Sequence, residues 1–220
     1  MIKVFTSDCF ETYQRCPRAY YYKYIKGIKF ALKKDTYKLG RNIHSLAYYK
    51  LQGHSLRKIE HALDENTRKH WENISDNPLL TKNVICAEWG FDILLKDSVW
   101  LNGRIDAVFE DEGNYIIADW KTGEKLPHVP EDKFQAMIYM YAFFRAQKDL
   151  GLDFEPYRLK FVFVGSSEKN LEKEIICNYE MINEIEEKLL GMSGKIIADT
   201  DFMPNKKRCD FCDFQKICIE

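Results

Sequence analysis

Apolar positions along the chain change their period several times, and each change marks an element. Thr6, Ser7 and Asp8 are capping candidates for a short helical stretch, with Glu11 three residues after Asp8 in a capping-box relation. That helix is expected to end near Cys16, because Pro17 disfavours helical geometry in the residue before it. Over residues 41–51, Ile43, Leu46, Ala47 and Leu51 recur at helical spacing, and a third helix is predicted over 55–71 with Leu56, Ile59 and Leu63 on one face. After a break at Asn77 and Pro78, residues 84–95 and 99–109 read as strands by their β-branched and aromatic content, followed by a strand over 115–121. A long helix over 131–149 with Phe134, Met137, Ile138 and Tyr141 as its stripe, strands over 157–165 and 174–177, and a last amphipathic helix over 180–199 through Ile182, Ile185 and Leu189 complete the order. Helices, three strands, a helix, strands and a helix predict a mixed α/β domain around a small sheet, with no internal repeat or low-complexity linker.

The two central strands carry the candidate chemistry. Gly103-Arg104-Ile105-Asp106-Ala107-Val108-Phe109 and Tyr115-Ile116-Ile117-Ala118-Asp119-Trp120-Lys121 flank Glu110-Asp111-Glu112-Gly113-Asn114, which is rich in turn-forming residues. An antiparallel hairpin brings Asp106 towards Asp119, and the period of two puts Asp119 and Lys121 on one face. Two acids and a lysine then converge. His44 stands at the edge of the second helix's apolar stripe, where a lone histidine is by default a structural residue. Gln135 and Tyr139, four apart, are neighbours on one helical face. Glu88, in the first strand, either faces the acids of the hairpin or, by default, is an exposed strand glutamate.

Charge changes the picture more than composition does. The formal net charge of the 220 residues is −1, with 33 basic and 34 acidic side chains, yet residues 1–50 hold 11 Lys or Arg against Asp8, Glu11 and Asp35, a net of +8. A basic segment of this kind suits a phosphate backbone. Within it Arg18-Ala19-Tyr20-Tyr21-Tyr22-Lys23-Tyr24, followed by Lys26, Lys29, Lys33, Lys34 and Lys38, interleaves rings with cations. The rings either stack on single-stranded bases or belong to the core. No run of about 18 apolar residues and no signal-peptide pattern is present, so a cytoplasmic protein with no membrane partner is expected. Seven cysteines in that setting point to ligation rather than disulfides. Cys209, Cys212 and Cys218 have ligand-like spacing and need one more sulfur.

Together these motifs resemble the PD-(D/E)xK nuclease superfamily, in its RecB-like branch with an iron-sulfur cluster, which includes AddB-type nuclease domains and CRISPR-associated adaptation nucleases. The resemblance runs from Ser7 to Cys218. It implies a restriction-endonuclease-like mixed sheet flanked by helices, a single domain over 1–220. Residues 84–165 are its catalytic core, and 1–50 with 200–220 form an iron-sulfur and DNA-binding subregion. It implies Asp106, Asp119 and His44 as metal ligands, the Trp120 carbonyl as a further one, Lys121 as the catalytic lysine, and Gln135 with Tyr139 as the motif that follows the active site. The expected metal is Mg²⁺ or Mn²⁺. Cys16 is implied as the fourth ligand of a 4Fe–4S cluster with Cys209, Cys212 and Cys218, with Cys9 as its rival and a zinc site as the alternative; Cys86 and Cys177 read as small buried hydrophobes. The expected activity is metal-dependent cleavage of DNA, as an exonuclease on single strands or ends, in repair, recombination or CRISPR adaptation, with a helicase or an adaptation protein as possible partner. The alternative is a non-catalytic DNA-binding or assembly subunit. Neither oligomeric state nor cleavage polarity follows from the motifs.

Overall fold

The computed structural model describes residues 2–29 and 34–218; Lys33 of the basic segment lies outside them. Its six strands form one mixed sheet: β1 (Lys3–Phe5), β2 (Asn83–Lys96), β3 (Val99–Asp111), β4 (Asn114–Lys121), β5 (Leu159–Gly165) and β6 (Leu171–Ile176). β3 and β4 form the expected hairpin, pairing antiparallel from Ala107↔Ala118 to Asp111↔Asn114. Its turn residues Glu112 and Gly113 both take positive φ (52° and 78°), the conformation that lets a two-residue turn follow the strands' right-handed twist. β5 lies parallel to β4, and β6 antiparallel to β5. β1 is a strand that three residues of mixed polarity did not announce; it pairs parallel with Val99–Leu101 of β3.

The helices are α1 (Ser7–Arg15), α2 (Pro17–Tyr20), α3 (Lys34–Leu51), α4 (Arg57–His61), α5 (Glu65–Ser75), α6 (Phe134–Ala146), α7 (Tyr179–Ala198) and α8 (Gln215–Cys218). A π-helical turn, Tyr21–Ile25, continues α2. Alternate residues of β4 and β5 feed two cores. Ile117, Phe161 and Phe163 pack with α1, α6 and α7, whereas Ile116, Ala118, Trp120, Val162 and Val164 pack with Ile43, Leu46 and Ala47 of α3 and Trp71 of α5. Five consecutive residues of β4, Ile116–Trp120, are therefore buried, as expected for a strand covered on both faces.

Three sequence expectations change. Thr6, not Asp8, caps α1 through the Cys9 N–H; Asp8 instead takes bonds from Lys23 and Tyr24, so the capping box is not formed. The single helix expected over 55–71 is two, because Asp64 accepts the Thr67 N–H and starts α5 afresh. α6 is shorter than expected and buried nearly all round, with ten of its thirteen residues in the core, so its stripe was one part of a wholly apolar surface.

The chain ends are clasped. Tyr13 Oη donates to Asp199 Oδ2 at 2.7 Å, Arg18 Nε to the Phe202 carbonyl at 2.9 Å, and Asn205 Nδ2 to the Arg15 carbonyl at 3.0 Å. Tyr20 and Tyr21 pack on Phe202, and Tyr22 on Phe214. The tyrosines at 20–22 thus serve this docking rather than offering free stacking faces.

Candidate active site

β2 follows one edge of β3 along its length, so β1 and β4 must share the other edge. Between Leu101, paired with β1, and Ala107, paired with β4, residues 102–106 have no strand partner on that edge among the described residues. Asp106 and Asp119 are the next opposed positions beyond the last β3–β4 pair, where the strands part. Asp106 Oδ2 accepts the Trp120 N–H at 2.9 Å, standing in for the carbonyl that a continued ladder would supply. Across β2, the pairs Ala87↔Ala107 and Trp89↔Ile105 set Glu88 opposite Asp106. Glu88 has φ of 50°, left-handed for a non-glycine residue. Ile105 and Val108 lie in the same core while Ala107 faces the other, so the strand's alternation breaks at Asp106.

Helices from both faces reach this opening. His44 of α3 places Nδ1 3.2 Å from Asp106 Oδ1 and Nε2 3.0 Å from the Trp120 carbonyl oxygen. Both partners are acceptors, a setting that favours the doubly protonated imidazole. Burial opposes that charge, but Asp106, Asp119 and Glu88 outweigh it and raise the His44 pKa. From α6, Gln135 Nε2 donates to Asp119 Oδ1 at 2.6 Å and to Tyr139 Oη at 3.3 Å, while its Oε1 accepts from Lys121 Nζ at 2.6 Å. Lys121 Nζ also lies 2.7 Å from Asp119 Oδ2, outside the directions a hydrogen bond requires, so that buried oxygen has a charge neighbour and no hydrogen bond among the described residues. Burial and the nearby Asp106 charge raise the Asp119 pKa, against the pull of Lys121. Burial likewise raises Glu88, which is paired with Arg104 Nε at 2.9 Å.

These residues fit a divalent cation. Ligand atoms of His44, Glu88 and Asp106 all lie within 4.8 Å of one another, Asp119 adds an oxygen lacking a hydrogen bond, and the set is one imidazole with hard carboxylates. A cation there would balance the charge of Glu88, Asp106 and Asp119.

Every residue expected at this site from sequence is brought to it: His44, Asp106, Asp119, Trp120, Lys121, Gln135 and Tyr139. Glu88 corrects the default reading, since it faces the acids rather than solvent. Its signal was its register, opposite Asp106, which a strand bearing a bulge hides from sequence.

At the clasp, Cys16, Cys209, Cys212 and Cys218 line one cavity of about 250 Å³, together with Arg15, Lys207 and Arg208. All seven cysteines are free. Cys16 Sγ accepts the Asn205 N–H at 3.3 Å. Cys9, the rival ligand, is buried in the main core beside Thr6 and does not line the cavity. Cys177 is buried and Cys86 half-buried, and burial pushes both thiols up to about 11.

Among the described residues, no helix is long and apolar enough to cross a membrane. A family model described as the PD-(D/E)XK nuclease superfamily matches residues 8–219. Among solved structures, a candidate exonuclease from Eubacterium rectale is 12% identical, with a TM-score of 0.55 over 98% of this chain and 88% of its own. The protein SSO0001 is 14% identical, with a TM-score of 0.49 over 99% of this chain and 87% of its own. No curated protein matches the sequence.

Proposed function

The chain belongs to the PD-(D/E)XK nuclease superfamily, and from that premise we propose that it hydrolyses DNA phosphodiester bonds with the help of a divalent cation. The observation that carries this reading is the convergence of His44, Asp106, Asp119 and Lys121 where β3 and β4 part, with Asp119 Oδ2 buried and without a hydrogen bond among the described residues. His44, Glu88, Asp106, Asp119 and the Trp120 carbonyl would hold Mg²⁺ or Mn²⁺, the imidazole favouring Mn²⁺. When bound, the ion lowers the pKa of a coordinated water and neutralises phosphate charge. Lys121, held as an ammonium by Asp119 and Gln135, orients the attacking water and offsets the charge of the phosphate, whereas helping to deprotonate that water requires its neutral amine. Gln135 fixes the spacing of Lys121 and Asp119 through one amide, with Tyr139 held behind it.

Single-stranded DNA or DNA ends are the proposed substrate, cut exonucleolytically, in line with the description of the Eubacterium rectale protein. DNA repair, recombination or CRISPR adaptation, beside a helicase or an adaptation protein, is the proposed setting. Cys16, Cys209, Cys212 and Cys218 are proposed to hold a 4Fe–4S cluster in a structural role. Four thiols on one cavity support this; Arg15, Lys207 and Arg208 line it too, against Asp210 and Asp213.

The test is end-labelled single- and double-stranded DNA with Mn²⁺ or Mg²⁺, beside the Lys121→Ala protein. Metal-dependent loss of label that slows by about 10²–10³ in the variant is expected. Equal cutting by the variant, or no cutting by the wild type, refutes the assignment. Anaerobically purified protein should be brown with broad visible absorption; a colourless, zinc-loaded protein removes the cluster.

A further inference from the structure

The flank of α3 that presents His44 continues towards the helix start through Tyr37 and Arg41. One turn before His44, a Cβ built on Gly40 would lie 3.6 Å from Thr122 Oγ1, so this flank follows the end of β4 just past Lys121. At about 100° per residue, Tyr37, Gly40, Arg41, His44 and Tyr48 share the flank. Leu39, Ile43, Leu46 and Ala47 turn to the core instead. Tyr37 is 60% exposed and Arg41 is exposed. Neither has a hydrogen-bond, ion-pair or ring partner among the described residues. The contrast with Tyr20, Tyr21 and Tyr22, which are spent on the clasp, is sharp.

We infer that Tyr37 and Arg41 form a substrate subsite beside the metal group, Tyr37 stacking on a base of a single strand and Arg41 holding an adjacent phosphate. This rests on the nuclease reading and adds to it the direction in which the strand leaves the reacting centre, along α3 towards its N-terminal end. With a rise of 1.5 Å per residue, Arg41 lies about 4.5 Å and Tyr37 about 10 Å from His44 along the helix axis. Stacked nucleotides rise about 3.4 Å each, so Tyr37 meets a base no more than about three nucleotides from the reacting phosphate. A ring accepts any base face and a guanidinium any phosphate, so the subsite selects unpaired strand over duplex without selecting sequence. Both are positioning residues, since neither reaches the reacting atoms.

The test combines steady-state cleavage of a fluorescein-labelled thymidine dodecamer with binding, in EDTA, of dodecamers carrying 2-aminopurine at each position in turn. Tyr37→Ala should raise KM about tenfold with kcat within about twofold, and Tyr37→Phe should restore KM, because the ring rather than the hydroxyl does the stacking. Arg41→Gln should raise KM and flatten the dependence of log affinity on log salt by about 0.7. In the wild type and Tyr37→Phe, 2-aminopurine fluorescence should be quenched at positions within about three nucleotides of one end, and not in Tyr37→Ala. A Tyr37→Ala protein with wild-type KM and wild-type quenching overturns the subsite while leaving the nuclease reading intact. A wild-type protein that neither binds nor cuts the oligonucleotide overturns both.

Discussion

Replacing Lys121 by alanine separates what the site does for folding from what it does for chemistry. Asp119 is 1% exposed by side chain and Lys121 31%, and they stand 2.7 Å apart. Breaking a fully buried ion pair from one side costs about 3–5 kcal/mol and an exposed one about 0–1 kcal/mol. One buried and one part-exposed partner put the loss near 2 kcal/mol, since the Gln135 amide still serves Asp119 Oδ1. For a chain of this size that is a fall in Tm of roughly 4–8 °C. The sign of its pH dependence follows from Asp119, whose pKa is already raised by burial and by Asp106 and rises further without the ammonium. A carboxyl raised in the fold is neutral at low pH in both folded and unfolded chains, so the deficit should be small near pH 4 and grow as pH rises through the folded pKa. Cleavage should fall by about 10²–10³, or about 2.7–4 kcal/mol. Adding Asp119→Asn removes the stranded charge, so the double variant should regain most of the lost Tm and none of the cleavage. Melting curves at pH 4.5 and 8, with labelled-DNA assays on the three proteins, read both quantities. Wild-type Tm and wild-type cleavage in Lys121→Ala would refute the reasoning, as would a double variant that recovers activity.

Three further outcomes are expected. Glu88→Gln should weaken Mn²⁺ binding by at least about tenfold in a metal titration and release Arg104, with Tm little changed; unaltered affinity would leave Glu88 a partner of Arg104 alone. Gly103→Ala would put a Cβ 2.6 Å from Phe91 Cζ and 3.2 Å from Tyr139 Cε1. It should lower stability by about 1–3 kcal/mol and slow cleavage by displacing Tyr139, and a neutral result in both assays would contradict that packing. Cys177, 1% exposed with its thiol pushed up to about 11, should resist iodoacetamide at pH 8, where a free cysteine presents about two hundredfold more thiolate. Peptide mass spectrometry of the native protein reads this directly, and labelling of Cys177 as fast as in urea would count against it.

The hairpin and the residues on it were legible because a strand's period and a turn's composition are local properties. Asp106 and Asp119 end up opposed by counting back from Glu112 and Gly113. The third acid stayed open for the opposite reason: Glu88 owes its place to a bulge and a left-handed backbone in a different strand, and nothing within its own segment encodes which face it meets. β1 escaped because three residues carry too little pattern to outweigh their surroundings. The tyrosines of 20–22 left base stacking and core packing both open because ring-and-cation composition is the same whether the rings meet bases or Phe202 and Phe214. Tyr37 went unremarked among the lysines around it, though exposure, not composition, is what distinguishes a ring free to bind.

The clasp between the chain ends has a consequence in time. Its hydrogen bonds join residues 184 to 190 apart in sequence. Closing so long a loop from an unfolded chain costs on the order of 5 kcal/mol in entropy before any contact rewards it. The β3–β4 hairpin, closed by two residues, has no such barrier. The ends should therefore meet late, after the sheet has shortened the path between them, and the Cys16 thiol has no company from Cys209, Cys212 and Cys218 until the ribosome has finished with all of them. A group held by those four sulfurs would be delivered to a chain already translated through Cys218 and largely folded, and starvation for it should leave a protein with an intact sheet and an open clasp.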